Sequence, residues 1–124
     1  MTINEAIELV DNLKPNQYEH EIKVHWLGKI DGMIFTEIIK THEHCRVESF
    51  HGYDDADPDT ELLVKFPYDE DIYNYFLQAC IDKENGEMNK YNQSITLFNA
   101  AYRAFADHYN RTHRPLPARS AFRF

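Results

Sequence analysis

The sequence predicts an all-α protein: a small bundle of about four helices, with an irregular segment or short β-hairpin between the second and third. Three observations predict it. Apolar residues recur at spacings of three and four over most of the chain. The periodic stretches are bounded by residues suited to capping helices. The one long segment that loses the period, 41–66, carries short alternating apolar runs around the turn-forming string "DDADPDT".

The first helix is predicted over 3–13. Thr2 and Glu5 form a capping box, and Ile3, Ala6, Ile7, Val10 and Leu13 make one apolar stripe before Pro15 ends it. The second is predicted over 17–40, with Asn16 as its start and Ile22, Trp26, Ile30, Met33, Ile34 and Ile38 recurring along it. Gly28 and Gly32 lie inside this helix on one face, each costing roughly 1 kcal/mol against Ala. Either a close neighbour or a tolerated irregularity would account for them. In 41–66, "HCRVESFHGY" reads as one strand and "ELLVKF" as its return.

The third helix is predicted over 70–84. Asp69 is placed as its N-cap, accepting from the amide of Asp71 or Ile72. Glu70 and Asp71 follow in the first turn, where negative charge meets the positive helix end. Asn85-Gly86 closes the helix, since Gly takes the left-handed conformation readily. A turn this short returns the next helix antiparallel. That fourth helix, over 87–111, has the strongest period of all: Met88, Tyr91, Ile95, Phe98, Tyr102, Phe105 and Tyr109 alternate spacings of three and four. The seam is built of aromatics and suits packing within the protomer or against a copy of it.

At 124 residues the chain has the length of one domain, and 43% hydrophobic residues are enough for a core. A net charge of −8 argues against broad binding to nucleic acid or an anionic membrane, because Lys and Arg hold phosphates. Cys45 and Cys80 lie in unlike contexts, which favours reduced thiols in a cytosolic setting over a disulfide framework. The opening MTINEAIELV is acidic and helical, so no signal peptide is expected. No apolar run approaches the roughly 18 residues a membrane span needs.

The charge is unevenly spread. Residues 111–124 carry Arg111, Arg114, Arg119 and Arg123 with no acid, formally +4, which leaves −12 on residues 1–110. The expected organisation is therefore a helical domain, 1–110, and a basic tail, 111–124. Pro115 and Pro117 bar helix continuation in that tail. Its arginines suit bidentate pairing with carboxylates, and Phe122 and Phe124 suit apolar pockets. These six residues, with Tyr91, Tyr102 and Tyr109 on the fourth helix, are the expected interaction residues.

Chemistry-bearing motifs are sparse. There is no glycine-rich phosphate loop, GxSxG elbow or HExxH pair. His42, His44, Cys45 and His51 have zinc-ligand character, but H-x-H-C lacks a second paired anchor, and solvated loop histidines are the better account. Asp55, Asp57 and Asp59 mimic the start of a calcium loop, yet its sixth position is Thr60 and its twelfth Phe66. Cys80 on an apolar stripe reads as an inert thiol. Asp69, Glu70 and Asp71 are consecutive and do not converge on a substrate. No enzyme activity and no cofactor is expected.

Three stretches together resemble a known family. They are "LLVKFPYDEDIYNYFLQACIDKENGE", "YNQSITLFNAAYRAFADHYNRTHRP" and the earlier "VHWLGKIDGMIFTEI". The chain is similar to the small head–tail connector, or adaptor, proteins of tailed bacteriophages and prophages. The similarity spans most of 1–115 and is weakest over 41–60 and in the final residues. It implies a mostly helical, non-enzymatic subunit of a homo-oligomeric ring. Such a ring docks on the portal protein in the virion neck, after assembly in the bacterial cytoplasm. It extends the DNA channel, through which DNA passes without sequence-specific binding, and offers a platform to downstream neck or tail proteins. No membrane and no cofactor is implied. A cytosolic helical interaction or regulatory module, and a small metal-dependent hydrolase using His42, His44 and His51, are the rival readings.

Overall fold

The computed structural model of the chain describes residues 1–41 and 49–113. Within them the chain forms α1 (Ile3–Leu13), α2 (His20–Glu37), a single 3-10 turn at Ile39–Thr41, α3 (Asp69–Glu84) and α4 (Met88–Thr112). The all-α expectation holds. Among the described residues there is no strand, only an isolated antiparallel bridge between Thr2 and Glu61.

Local chemistry sets the start of α1 and the close of α3 as the sequence predicts. The Thr2 hydroxyl accepts from the Glu5 amide at 3.2 Å, and the Glu5 carboxylate accepts from the Thr2 amide at 2.8 Å. Gly86 takes φ +74. The Glu87 amide donates to Asp82 O and the Gly86 amide to Lys83 O, the paired bonds of a glycine C-terminal cap. The chain then turns back, and α4 lies along α3.

Two helix starts differ from the sequence expectation. α2 begins at His20, not at residue 17, and is followed by the 3-10 turn rather than running to residue 40. Asn16 spends its side chain on a turn: its oxygen accepts from the Tyr18 amide, and its Nδ2 donates to Asp11 and Lys14 O. α3 begins one residue early, because Tyr68 already has helical dihedrals. Asp69 therefore lies in the first turn rather than capping it. Its Oδ1 accepts from the Glu70 amide at 2.7 Å and its Oδ2 faces the Met1 amino group at 3.3 Å. Glu70 and Asp71 are exposed in that same turn.

The expected hairpin is also replaced. Residues 44–48 of its first arm lie outside the described residues, and 49–53 form no strand. The second, around Leu62–Val64, is not a strand, because its backbone donors are taken elsewhere. Leu62 donates to Met1 O, Leu63 to the Asp31 carboxylate and Val64 to the Tyr73 hydroxyl. Leu62 and Val64 are thereby drawn wholly into the core, beside Ile3 and Val10 of α1, Leu27, Ile30 and Ile34 of α2, and Ile72, Leu77 and Ile81 of α3.

The aromatic seam of α4 is spent inside the protomer. Phe98 and Phe105 are buried, while Tyr91, Ile95, Tyr102 and Tyr109 are half-buried and Met88 is exposed. Phe98 packs on Phe76 of α3 with ring centres 5.5 Å apart, and Phe105 packs on Tyr68 at 6.1 Å. Trp26 is half-buried edge-on to Tyr18. Phe76, Ile95 and Tyr102 are likewise half-buried at the core margin.

Candidate functional site

Gly28 explains how a loop comes to lie on α2. A Cβ there would stand 3.0 Å from the Tyr53 amide nitrogen and 3.1 Å from Gly52 Cα. Only the missing side chain lets the 52–53 backbone approach so closely. Gly32, one turn on, faces only Phe50 Cδ2 at 3.9 Å, an ordinary contact. The approach aims Tyr53 inward and leaves two open concavities on either side of His25.

The smaller, about 340 Å³, is lined by Lys29, His51 and the glycine-bearing backbone of both elements. The larger, about 690 Å³, opens between the first turns of α2 and the turn that follows Tyr53. Ile22, Val24, Ala56 and Pro58 give it an apolar floor. Glu21, Asp54 and Asp55 rim it with exposed carboxylates. His25 Nδ1 stands 3.5 Å from Asp54 Oδ1 at the divide. Asp57, Asp59 and Glu61 continue the same loop and are also exposed.

Beneath this surface lies a buried polar cluster. Asp31, with no exposed surface, receives the Tyr53 hydroxyl and the Leu63 amide on Oδ2 and the Tyr73 hydroxyl on Oδ1, the last at 2.6 Å. Loss of water pushes the Asp31 carboxyl above its ordinary range, against the lowering by Tyr53, Tyr73 and Leu63. The same burial, with the Asp31 charge, raises both tyrosines. A second buried acid, Asp82, ties three helices together: Lys14 at the end of α1 donates to its Oδ1, and Ser94 of α4 to its Oδ2 at 3.0 Å. Lys23, also buried, reaches Asp11 at 2.6 Å. Sequence reading missed all three. Asp31 did leave a signal, standing four residues after Leu27 and beside Ile30 on the buried face. Asp82 left none.

The expected interaction residues are not gathered into one site. Arg114, Arg119, Phe122, Arg123 and Phe124 lie outside the described residues. Arg111 is exposed but belongs to α4, which runs past the expected domain boundary at residue 110 to Thr112. Tyr102 donates to Glu37 of α2, and its burial, aided by that bond, raises its hydroxyl. Tyr109 packs on Phe105 and stacks on His113 at 3.8 Å. Tyr91 is half-buried nearer the start of α4.

Of the zinc candidates, His42, His44 and Cys45 fall outside the described residues, and His51 is exposed beside Ser49 Oγ at 3.1 Å. Among the described residues no three His, Cys, Asp or Glu side chains are placed to hold a metal ion. Burial pushes the Cys80 thiol up to about 12, which keeps it protonated. No described helix is long and apolar enough to cross a membrane. No protein-family model, curated protein or solved structure matches the chain.

Proposed function

We propose that this protein is a head–tail connector subunit of a tailed bacteriophage or prophage. In this reading it performs no reaction and needs no cofactor. Copies assemble as a ring under the portal protein, extend the DNA channel and carry neck or tail proteins in the virion.

The observation that carries the reading is the α3–α4 hairpin. The two longest stretches of resemblance fall on this one unit, together with the Leu62–Tyr68 approach to it. The 25-residue α4 lies along α3 and touches α2 through Tyr102 and Glu37. Its opposite side, with Leu97, Ala100, Arg103, Ala104 and Asp107, stays exposed. A long helix supported along one side offers the other to a neighbour, as lateral contacts in a ring require. The acidity of residues 1–110 supports the reading as well, since a negative channel wall repels DNA and lets it pass.

Electron microscopy of the protein mixed with a cognate portal tests the reading. Rings seated on the portal are the expected result. A chain that remains monomeric with the portal present overturns it and favours a plain helical interaction module.

A further inference from the structure

We propose that the groove between the first turns of α2 and the 54–58 turn receives residues 114–124 of a second copy of this chain, an inference that rests on the ring assembly proposed above.

The chemistry of the two surfaces is complementary. The groove offers an apolar floor, with Ile22 40% exposed, and a rim of three exposed carboxylates, Glu21, Asp54 and Asp55. The segment 114–124 supplies three arginines, Arg114, Arg119 and Arg123, no acid, and the apolar side chains of Leu116, Phe122 and Phe124. Arginine matches carboxylates in a fork geometry, and an aromatic anchor in an apolar pocket is the usual centre of a binding site. Exposed carboxylates beside an apolar surface also select against acidic segments.

Geometry favours a second copy over the chain's own tail. Tyr18, just before α2, bonds Asn85 at the end of α3, and Glu37, at the far end of α2, meets Tyr102 of α4. α3 and α4 are joined by the tight turn at 85–87, so α2 and α4 run the same way. The groove sits at the beginning of α2, and the chain leaves α4 at the opposite end of the molecule. From residue 22 to 37 along α2, and from 102 to 113 along α4, the two axial steps together amount to about 39 Å. Eleven residues pulled straight span about 36–40 Å. Even fully extended, only the last residue of the segment comes level with its own groove, so Arg119 and Phe122 cannot enter it. Exit and groove at opposite ends instead make a head-to-tail contact, the kind that closes into a ring when the rotation permits.

A charge swap in full-length chains decides the matter. One variant reverses the groove (Glu21→Lys with Asp54→Lys), and the other reverses the segment (Arg119→Glu with Arg123→Glu). Self-association is followed by sedimentation, with helix content and Tm recorded for each chain. Each variant alone is expected to self-associate about tenfold more weakly or worse than wild type. An equimolar mixture is expected to recover association, because each reversed partner then meets its complement. Wild-type association is also expected to weaken as salt rises. Single variants that assemble like wild type, a mixture that recovers nothing, or a wild-type chain monomeric at every concentration would each overturn the assignment. Portal micrographs separate this from the connector reading. Rings formed equally by every variant leave the connector and remove the groove, whereas rescued association without portal rings does the reverse.

Discussion

The Tyr73 hydroxyl donates to Asp31 Oδ1 at 2.6 Å, at a point where neither residue exposes any surface. The same hydroxyl accepts from the Val64 amide at 2.8 Å. One acid on α2 and one phenol on α3 thus fix the backbone of the connection between them. Asp31→Asn puts an amide donor where only donors arrive, and is expected to cost about 1–3 kcal/mol. Tyr73→Phe strands the Val64 amide and is expected to cost a similar amount. The two should be clearly non-additive in a double-mutant cycle, because they share a network. Urea midpoints measure this, and an unchanged midpoint for Asp31→Asn would contradict the cluster's importance.

The pH dependence of stability follows from the same acid. Asp31 titrates above its ordinary 3.8 in the folded chain because burial disfavours its charge. Between 3.8 and that raised value the folded chain holds a proton the unfolded chain has lost. Protonation therefore favours folding in this window, and the contribution is lost as pH rises through it. The stability of wild type minus that of Asp31→Asn is expected to fall as pH rises from below 3.8, then level off. A difference that grows with pH would reverse the sign.

Gly28 and Gly32 share a helix and a face but should respond oppositely to alanine. At Gly28 the new methyl meets backbone at 3.0 and 3.1 Å, and backbone cannot swing away. Gly28→Ala is expected to cost about 1–3 kcal/mol despite better helix propensity. Gly32→Ala meets only a ring edge at 3.9 Å and is expected to gain about 0.5–1 kcal/mol. Thermal melts of the two single variants check the pair, and a stabilising Gly28→Ala would refute the close approach.

Phe98 and Leu97 are neighbours on α4 with opposite surroundings. Phe98 is 6% exposed between Phe76 and Tyr102, and Leu97 is 48% exposed. Phe98→Ala is expected to lose about 3–5 kcal/mol. Leu97→Ala should stay within about 0.5 kcal/mol in the isolated chain. Equal effects in chemical denaturation would mean that α4 is rotated from the orientation described.

Much of the fold was legible because helices are written locally. The Thr2–Glu5 box, the Gly86 cap and the α4 seam each depend on residues three or four apart, and all three stand in the structure as read. The misplaced starts failed for a related reason. Asn16 and Asp69 have side chains suited to capping, but such side chains satisfy any nearby amide, and here the turn at Tyr18 and the amide of Glu70 claim them. In the candidate groove the carboxylates were visible in "DDADPDT", but not the floor that α2 adds beneath them.

By itself, then, the sequence determined the helical class, the order of the helices, the aromatic seam of α4 and the separation of an acidic body from a basic tail. Tertiary structure alone decided that Asp31 and Asp82 are buried, that "ELLVKF" is pinned by the Met1 carbonyl and the Asp31 and Tyr73 side chains rather than paired in a hairpin, and that Gly28 is required where Gly32 is not. The physical reason is distance along the chain. Helix periodicity and most caps are satisfied within about four residues. The donors that settle Asp31 come from 22, 32 and 42 positions away, and no local pattern encodes which of many distant polar groups will meet once water has been excluded.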